Sequence, residues 1–273
     1  ISILKRLKLL NCVVISTPAN AGEKGDIHYI RSAPAGKLWL SLINSQCNAI
    51  NLIAPQMVDD LKRANITRPL ITQIPNGIPV QDHPFVAPQN TIPLFVSVGR
   101  LSHQKGFDIF LESIHRLKKN SLPFHVAIVG DGPERDNLNQ RIIKYELQSY
   151  VTLLGELNQD DIRKQLSSAD IFVLSSRYEG MANAALEAME AGKPLILTKC
   201  GGLDLYITDT MGWIAEPESV DSLHDCLLAA LKTDNNSLRQ MGLRNKEFVF
   251  DHFEMTHVAS RYIELFKTLV KEK

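Results

Sequence analysis

The sequence SSRYEGMANAALEAMEAGKPLILTKC runs from Ser175 to Cys200 and joins an acidic loop, a small-residue helix and a strand. IFVLSS (Ile171 to Ser176) overlaps its start and PLILTK (Pro194 to Lys199) its end. Both are of strand type, so the middle must be a strand-to-helix turn and a crossover helix. Ligands of open parallel sheets bind at such turns. Glu187 is the odd residue there, a carboxylate set among Ala184, Ala185, Ala188, Met189 and Ala191, whose small side chains allow close packing on a sheet. A charge buried at that place is unfavourable unless a partner answers it.

Moving outward, strand and helix patterns alternate from Leu94 onward: LFVSVG, GFDIFLESIHRLKK, FHVAIVG, PERDNLNQRIIKYEL, VTLLGEL, DDIRKQLSSA. This alternation predicts a doubly wound parallel sheet of Rossmann type. After Cys200 come GGLDLYI, a short MGWIAE, and helices over Val220 to Lys232 and Ser237 to about Phe250. EMTHVASRYIELFKTLVKEK closes the chain with Val258, Tyr262, Leu265 and Leu269 on one helical face, which predicts an amphipathic helix lying on something apolar.

On the N-terminal side, Ile1, Leu4 and Leu7 share a helical face ringed by Lys5, Arg6 and Lys8, either a solvated face or a contact with anionic lipid. CVVIST follows as a strand. NAGEKGDIHYIRSAPAGK is rich in Gly and polar residues and is expected to be a long functional loop. AINLIAP reads as a buried strand, PQMVDDLKRANI as a helix, and PLITQ as a strand before the Pro75-Asn76-Gly77 turn. Pro79, Pro84 and Pro88 then predict a linker between domains. The expected division is 1–82, 83–250 and a final helix at 251–273.

The chain has 273 residues, 44% hydrophobic and 22% charged, enough for a real core and suited to two domains or one and a fragment of another. Lys plus Arg and Asp plus Glu are both 30, so nothing overall calls for nucleic acid, and any anion site must be local. Cys12, Cys47, Cys200 and Cys226 form no C-x-x-C pair and point to reduced thiols in a cytoplasmic protein rather than zinc or disulfides. ISILKRLKLL lacks an initiating Met and a processing site, so a fragment entered in mid-helix is expected.

Three places could carry chemistry. Gly99-Arg100-Leu101-Ser102-His103-Gln104-Lys105-Gly106 stands between strand and helix. There a tight turn presents backbone N–H groups to an anion while Arg100 and Lys105 neutralise a diphosphate. Gly130-Asp131-Gly132-Pro133 is either room for a base or ribose or a purely structural turn. Glu179 in the turn and Glu187 on the helix, with the amides of Gly180 to Asn183 between them, suit acid and base work or the holding of sugar and ribose hydroxyls. A helix-terminal Glu with a salt-bridged neighbour is the plain alternative. Among the histidines no hydrolase or zinc-protease pattern occurs. Only His28, in the glycine-bearing loop, and His103, between the two bases, lie where a ligand could sit.

VGRLSHQKGFDIFLESI, VGDGPERDNL and SSRYEGMANAALEAMEAGKPLI, with IPNGIP ahead of them, closely resemble the retaining glycosyltransferases of family four, from about Asn51 to the C-terminus. The resemblance implies a GT-B fold of two facing Rossmann-like domains, here one complete and one partial, with the final helix, 251–273, packing back on the N-terminal one. It further implies metal-independent, cofactor-free transfer of a hexosyl group from a UDP- or GDP-linked sugar to an acceptor hydroxyl, in polysaccharide, lipopolysaccharide or glycolipid synthesis. By motif, Arg100 and Lys105 match the diphosphate pair, Glu187 the ribose holder and Glu179 the residue meeting the donor sugar. Gly99, Gly130, the amides of Gly180, Met181, Ala182 and Asn183, and Leu157 beside the base would complete the donor site. Glu179, Arg100 and Lys105 would act in catalysis.

The resemblance also has departures. Only the last part of an acceptor domain is present, and Pro18 stands after CVVIST where the family often has a His. Gly22, Gly25 and His28 are the expected acceptor-side contacts. The implied partners are the nucleotide sugar and a saccharide or lipid-linked acceptor, with peripheral contact at the inner membrane face open. A sugar-nucleotide 2-epimerase of the same architecture and a non-catalytic nucleotide-sugar-binding fragment are the alternatives.

Overall fold

In the computed structural model, residues 5–7, 11–20, 25–81, 85, 87 and 90–271 are described. The stretch quoted first forms strand β7 (Ile171–Leu174), helix α7 (Asn183–Glu190) and strand β8 (Leu195–Thr198). Around it stand β4 (Leu94–Val98), β5 (His125–Val129), β6 (Val151–Gly155) and β9 (Gly212–Ala215). The six strands make one sheet in the order β6-β5-β4-β7-β8-β9 with every neighbouring pair parallel. β7 and β8 are buried at every position, as expected of strands covered on both faces.

The crossovers are α4 (Phe107–Leu117), α5 (Arg135–Lys144) and α6 (Gln159–Ser168), and α8 (Val220–Lys232) follows β9 and packs into the same core. Asn158 caps α6 by accepting from the Asp161 amide at 2.9 Å, and Ser219 caps α8 through the Ser222 amide at 3.2 Å. Phe95, Phe110, Leu111, Phe124, Ile171 and Leu227 belong to the main core. Full burial of each such side chain contributes about 1.5–3 kcal/mol.

The chain divides into two compact units. The larger contains Val80–Arg177 and Ala182–Asp251; the smaller contains Ile1–Pro79, Tyr178–Met181 and His252–Lys273. The expected boundary near residue 82 lies outside the described residues. The small unit holds a parallel sheet β1-β2-β3, with β1 (Ile15–Ser16), β2 (Ala49–Asn51) and β3 (Leu70–Thr72).

Helix α9 (Asn235–Phe253) ends where the small unit resumes, and α10 (Met255–Lys271) lays Val258, Leu265 and Leu269 on Ala49 and Ile74, with Tyr262 alongside. Asn51, fully buried, donates to the Tyr262 hydroxyl (2.7 Å) and the Ile74 carbonyl (2.9 Å), and accepts from the Ile74 amide (2.8 Å). Pro75-Asn76-Gly77, expected as a turn, carries none; just past it Ile78 bridges Glu254, beside the start of this helix. The Ile78 amide donates to Phe253 O, the Met255 amide donates back to Ile78 O, both at 2.9 Å, and a Cβ on Gly77 would stand 3.0 Å from Val258 Cβ.

One expectation is corrected here. The segment read as a long loop contains α1 (Asp26–Ser32) and begins α2 (Gly36–Gln46), with α3 (Met57–Arg63) following β2. Ile27, Leu40 and Leu42 are buried, so tertiary packing fixes these helices where local composition argued against them. Gly36 is required by close approach, since a Cβ there would lie 2.4 Å from Ile30 O. Asp26 accepts from the Ala19 and Asn20 amides at 2.5 and 3.3 Å, fixing the entry to α1. Among the described residues no helix is long and apolar enough to cross a membrane.

Candidate functional site

Because all strands of the large sheet are parallel, the loops after β4, β5, β6, β7 and β8 leave from the same edge. The strand order reverses between β4 and β7, and ligands of open parallel sheets bind at such a switch point. The loop Gly99–Gly106 follows β4, and the Ser175–Ala182 segment follows β7.

Arg100 is exposed and makes no ion pair among the described residues. Lys105 is half-buried, and its stem lies across Gly99, so close that a Cβ on Gly99 would stand 3.3 Å from Lys105 Cε. The two bases therefore flank one short stretch of backbone. Lys105 ends a 3₁₀ turn, His103–Lys105, closed by its amide on Ser102 O at 3.0 Å. His103 is exposed on that turn. Gly106 has φ 63°, and a Cβ there would be 2.1 Å from Ser175 O. Only glycine meets both demands.

The Gly130–Pro133 turn is packed against the Arg100 loop. A Cβ on Gly130 would stand 2.0 Å from Gly99 O and one on Gly132 2.4 Å from Leu101 O. The Leu101 amide donates to Asp131 O and the Glu134 amide to Leu101 O, both at 2.9 Å. These glycines thus have a structural task, the support of the basic loop. Asp131, whose carboxylate accepts from the Gly132 amide at 2.7 Å and pairs with Arg135, is held below the usual carboxylate range by those bonds.

Helix α7 begins at Asn183, exposed, after buried Ala182 in extended conformation, and no side chain caps it. Its N-terminus therefore offers amides and a positive dipole end. One turn in, Glu187 is half-exposed rather than buried, which corrects the expectation drawn from its alanine neighbours. Its Oε1 accepts from the Gln159 side-chain amide at 3.1 Å, so a neutral donor, not a cation, orients it. Leu157, half-buried, precedes Gln159 in the loop after β6.

Glu179, Gly180 and Met181 belong to the small unit. Glu179 is 6% exposed, and Gly180 is pressed on the small unit's own backbone, a Cβ there falling 1.8 Å from Ala19 O. Also in that unit, Gly25 precedes α1, and exposed His28 lines a shallow cavity with Ile27, Arg31, Asp60, Arg63 and Ala64. Gly22 lies outside the described residues.

Sequence reasoning gave no role to Gln159 or Arg177. Arg177 adjoins the acidic motif, yet nothing local shows that its partners are Asp108 and Glu218; Gln159 meets Glu187 only through the fold. Asp204, after the Gly201-Gly202 turn beyond β8, has its carboxyl pushed up by burial, against the hydrogen bonds of its own and the Gly201 amides.

Residues 81–248 match the family model described as glycosyl transferases group 1. Among curated proteins, the chain is 28% identical over 177 residues to the lipopolysaccharide core biosynthesis glycosyltransferase LpsE of Rhizobium meliloti, covering 63% of this chain and 49% of LpsE. It is also 28% identical over 176 residues to the 2-deoxystreptamine glucosyltransferase of Streptomyces kanamyceticus, covering 64% and 45%. The chain thus spans about half the length of these relatives. Among solved structures, Anabaena Alr3699/HepE in complex with UDP-glucose superposes with TM-score 0.82 at 16% identity, covering 98% of this chain and 75% of that one. Sucrose-phosphate synthase of Thermosynechococcus elongatus gives 0.81 at 21%, covering 98% and 71%. Both likenesses are of fold.

Proposed function

The chain belongs to the glycosyl transferases group 1 family, and from that premise we propose that it carries the donor site of a retaining glycosyltransferase acting on a UDP- or GDP-linked sugar. One observation supports this most. The basic loop after β4 and the uncapped helix that follows β7 leave the sheet on the two sides of its switch point. Arg100, Lys105 and the α7 N-terminus would hold the diphosphate, and Glu187, oriented by Gln159, would accept the ribose hydroxyls. Leu157 would lie at the base and Glu179 at the donor sugar.

The leaving group is a nucleoside diphosphate, so the reaction needs charge stabilised on the departing phosphate oxygen. Two bases and a helix N-terminus would supply that stabilisation. The acceptor hydroxyl attacks on the face that the phosphate leaves, giving its proton to that phosphate, and the anomeric configuration is kept. Turnover is expected to survive chelation of divalent metal, since Arg100 and Lys105 supply the positive charge. The relative named for lipopolysaccharide core biosynthesis supports a saccharide acceptor.

Calorimetric titration with UDP, GDP and their glucose conjugates tests the reading. One of them should bind, and Arg100→Ala should weaken it by about 1.5–3 kcal/mol, the scale of hydrogen bonds to charged groups. Folded protein that binds none of them would sink the proposal. Isomerised nucleotide sugar formed without acceptor would instead indicate a 2-epimerase.

A further inference from the structure

The three residues of the His103–Lys105 turn each give their carbonyl to the segment leaving β7. His103 O accepts from Arg177 Nη1 at 2.6 Å, Gln104 O from the Arg177 amide at 2.8 Å, and Lys105 O from Ser175 Oγ at 2.9 Å. Arg177 is itself held on three sides. Its guanidinium makes a two-pronged pair with Asp108 at 2.9 and 2.8 Å, and its Nε donates to Glu218 at 2.9 Å. The side chain is only 8% exposed. A planar fork suits this task, because no lysine could meet a carboxylate with two bonds while also reaching a carbonyl and a second acid.

Asp108 lies in the first turn of α4, immediately after the basic loop. Burial pushes its carboxyl up, but the Arg177 bonds and charge, together with the Asp108 and Ile109 amides, hold it below the ordinary range. The charge of Arg177 is thus answered by two acids within the large unit, whereas exposed Arg100 has no such partner among the described residues.

We infer that Arg177 is a positioning residue: it clamps the turn that carries Lys105, setting where that ammonium stands, without itself touching the diphosphate. This rests on the donor-site reading above for the purpose of the clamp, though not for its existence. The clamp joins the loops on the two sides of the switch point, so that the place of Lys105 depends on the β7 segment.

Two measurements test it. In the free protein, hydrogen exchange at the Lys105, Gly106 and Arg177 amides should rise at least tenfold in Arg177→Ala, with β4, β5 and the body of α4 unchanged. Arg177→Lys should recover only part of the protection. Unchanged exchange at those amides overturns the clamp, whether or not a nucleotide binds.

The second measurement compares uridine and guanosine mono- and diphosphates by calorimetry. Arg177→Ala should weaken the diphosphate about tenfold and the monophosphate by less than twofold, a split that general loosening of the fold would not produce. In a Lys105→Ala background the same change should have almost no effect on the diphosphate. Equal losses for both nucleotides, or an undiminished loss without Lys105, would show that Arg177 does not act through Lys105. Failure of the unaltered protein to bind any diphosphate would remove the donor reading and the purpose of the clamp, with the exchange result still deciding whether the clamp exists.

Discussion

Glu187 and Glu179 differ in surroundings in a way that separates their expected effects. Glu187 is half-exposed with one oxygen on Gln159, so its loss should be felt by the ligand more than by the fold. Glu187→Gln is expected to weaken UDP or GDP binding about tenfold, the equivalent of ~1.4 kcal/mol. Glu179→Gln should leave the bare nucleoside diphosphate within about twofold and weaken the nucleotide sugar instead, in the same titrations. Equal damage to the bare nucleotide by both changes would show the division of roles to be mistaken.

Lys193, 1% exposed, is the other instructive ionisable group. Burial lowers its pKa from 10.5 to about 8, against the attraction of Asp170, while its ammonium donates to Ser167 O at 2.8 Å. The unfolded chain keeps the proton to higher pH, so between about 8 and 10.5 it binds more protons than the folded one. Stability from this group therefore rises with pH across that window. Relative to Lys193→Met, the native protein should gain on the order of 2 kcal/mol between pH 7 and pH 10 in denaturant titrations. The Glu187 and Lys193 environments were not legible locally. The alanines around Glu187 suggested burial, but α7 turns that side chain toward the start of α6, and only the fold decides which face a helix covers.

The loops after β4 and β5 are one construction of two backbones in contact, and their glycines mark where the chains touch. Gly106→Ala meets both a left-handed φ and Ser175 O, so it should destabilise the large unit by on the order of 2–3 kcal/mol and loosen diphosphate binding as well. Thermal unfolding with and without UDP checks this; native stability in that variant would refute the packing argument. The strands and helices from Leu94 onward were readable because their apolar periods are long and their turns carry Gly or Pro. The segment 26–46 was not, because α1 is short and its burial comes from packing on α2 and α3, which local composition does not reveal.

The two units lead to separate stability expectations. Leu265 on α10 packs into the small unit's core with Ala49 and Ile74, and Leu265→Ala should destabilise that unit by about 2–5 kcal/mol. Hydrogen exchange should register the loss at β2 and at the amide of Ile78, with β4, β5 and β7 unaffected; a uniform loss through both units would mean that they unfold as one.

The sequence by itself determined the parallel sheet, the succession of its elements along the chain and the amphipathic final helix, because periodicity and turn chemistry are local; the residues proposed to meet the donor were implied by the resemblance of its motifs to a family. Tertiary structure alone decided that Glu187 is oriented by Gln159, that the glycines of the β5 turn support Arg100, and that the Lys105 turn is held by Arg177. Each of those contacts joins residues from different strand-end loops or crossover helices, and strand order, which brings such elements together, is a property of the folded sheet.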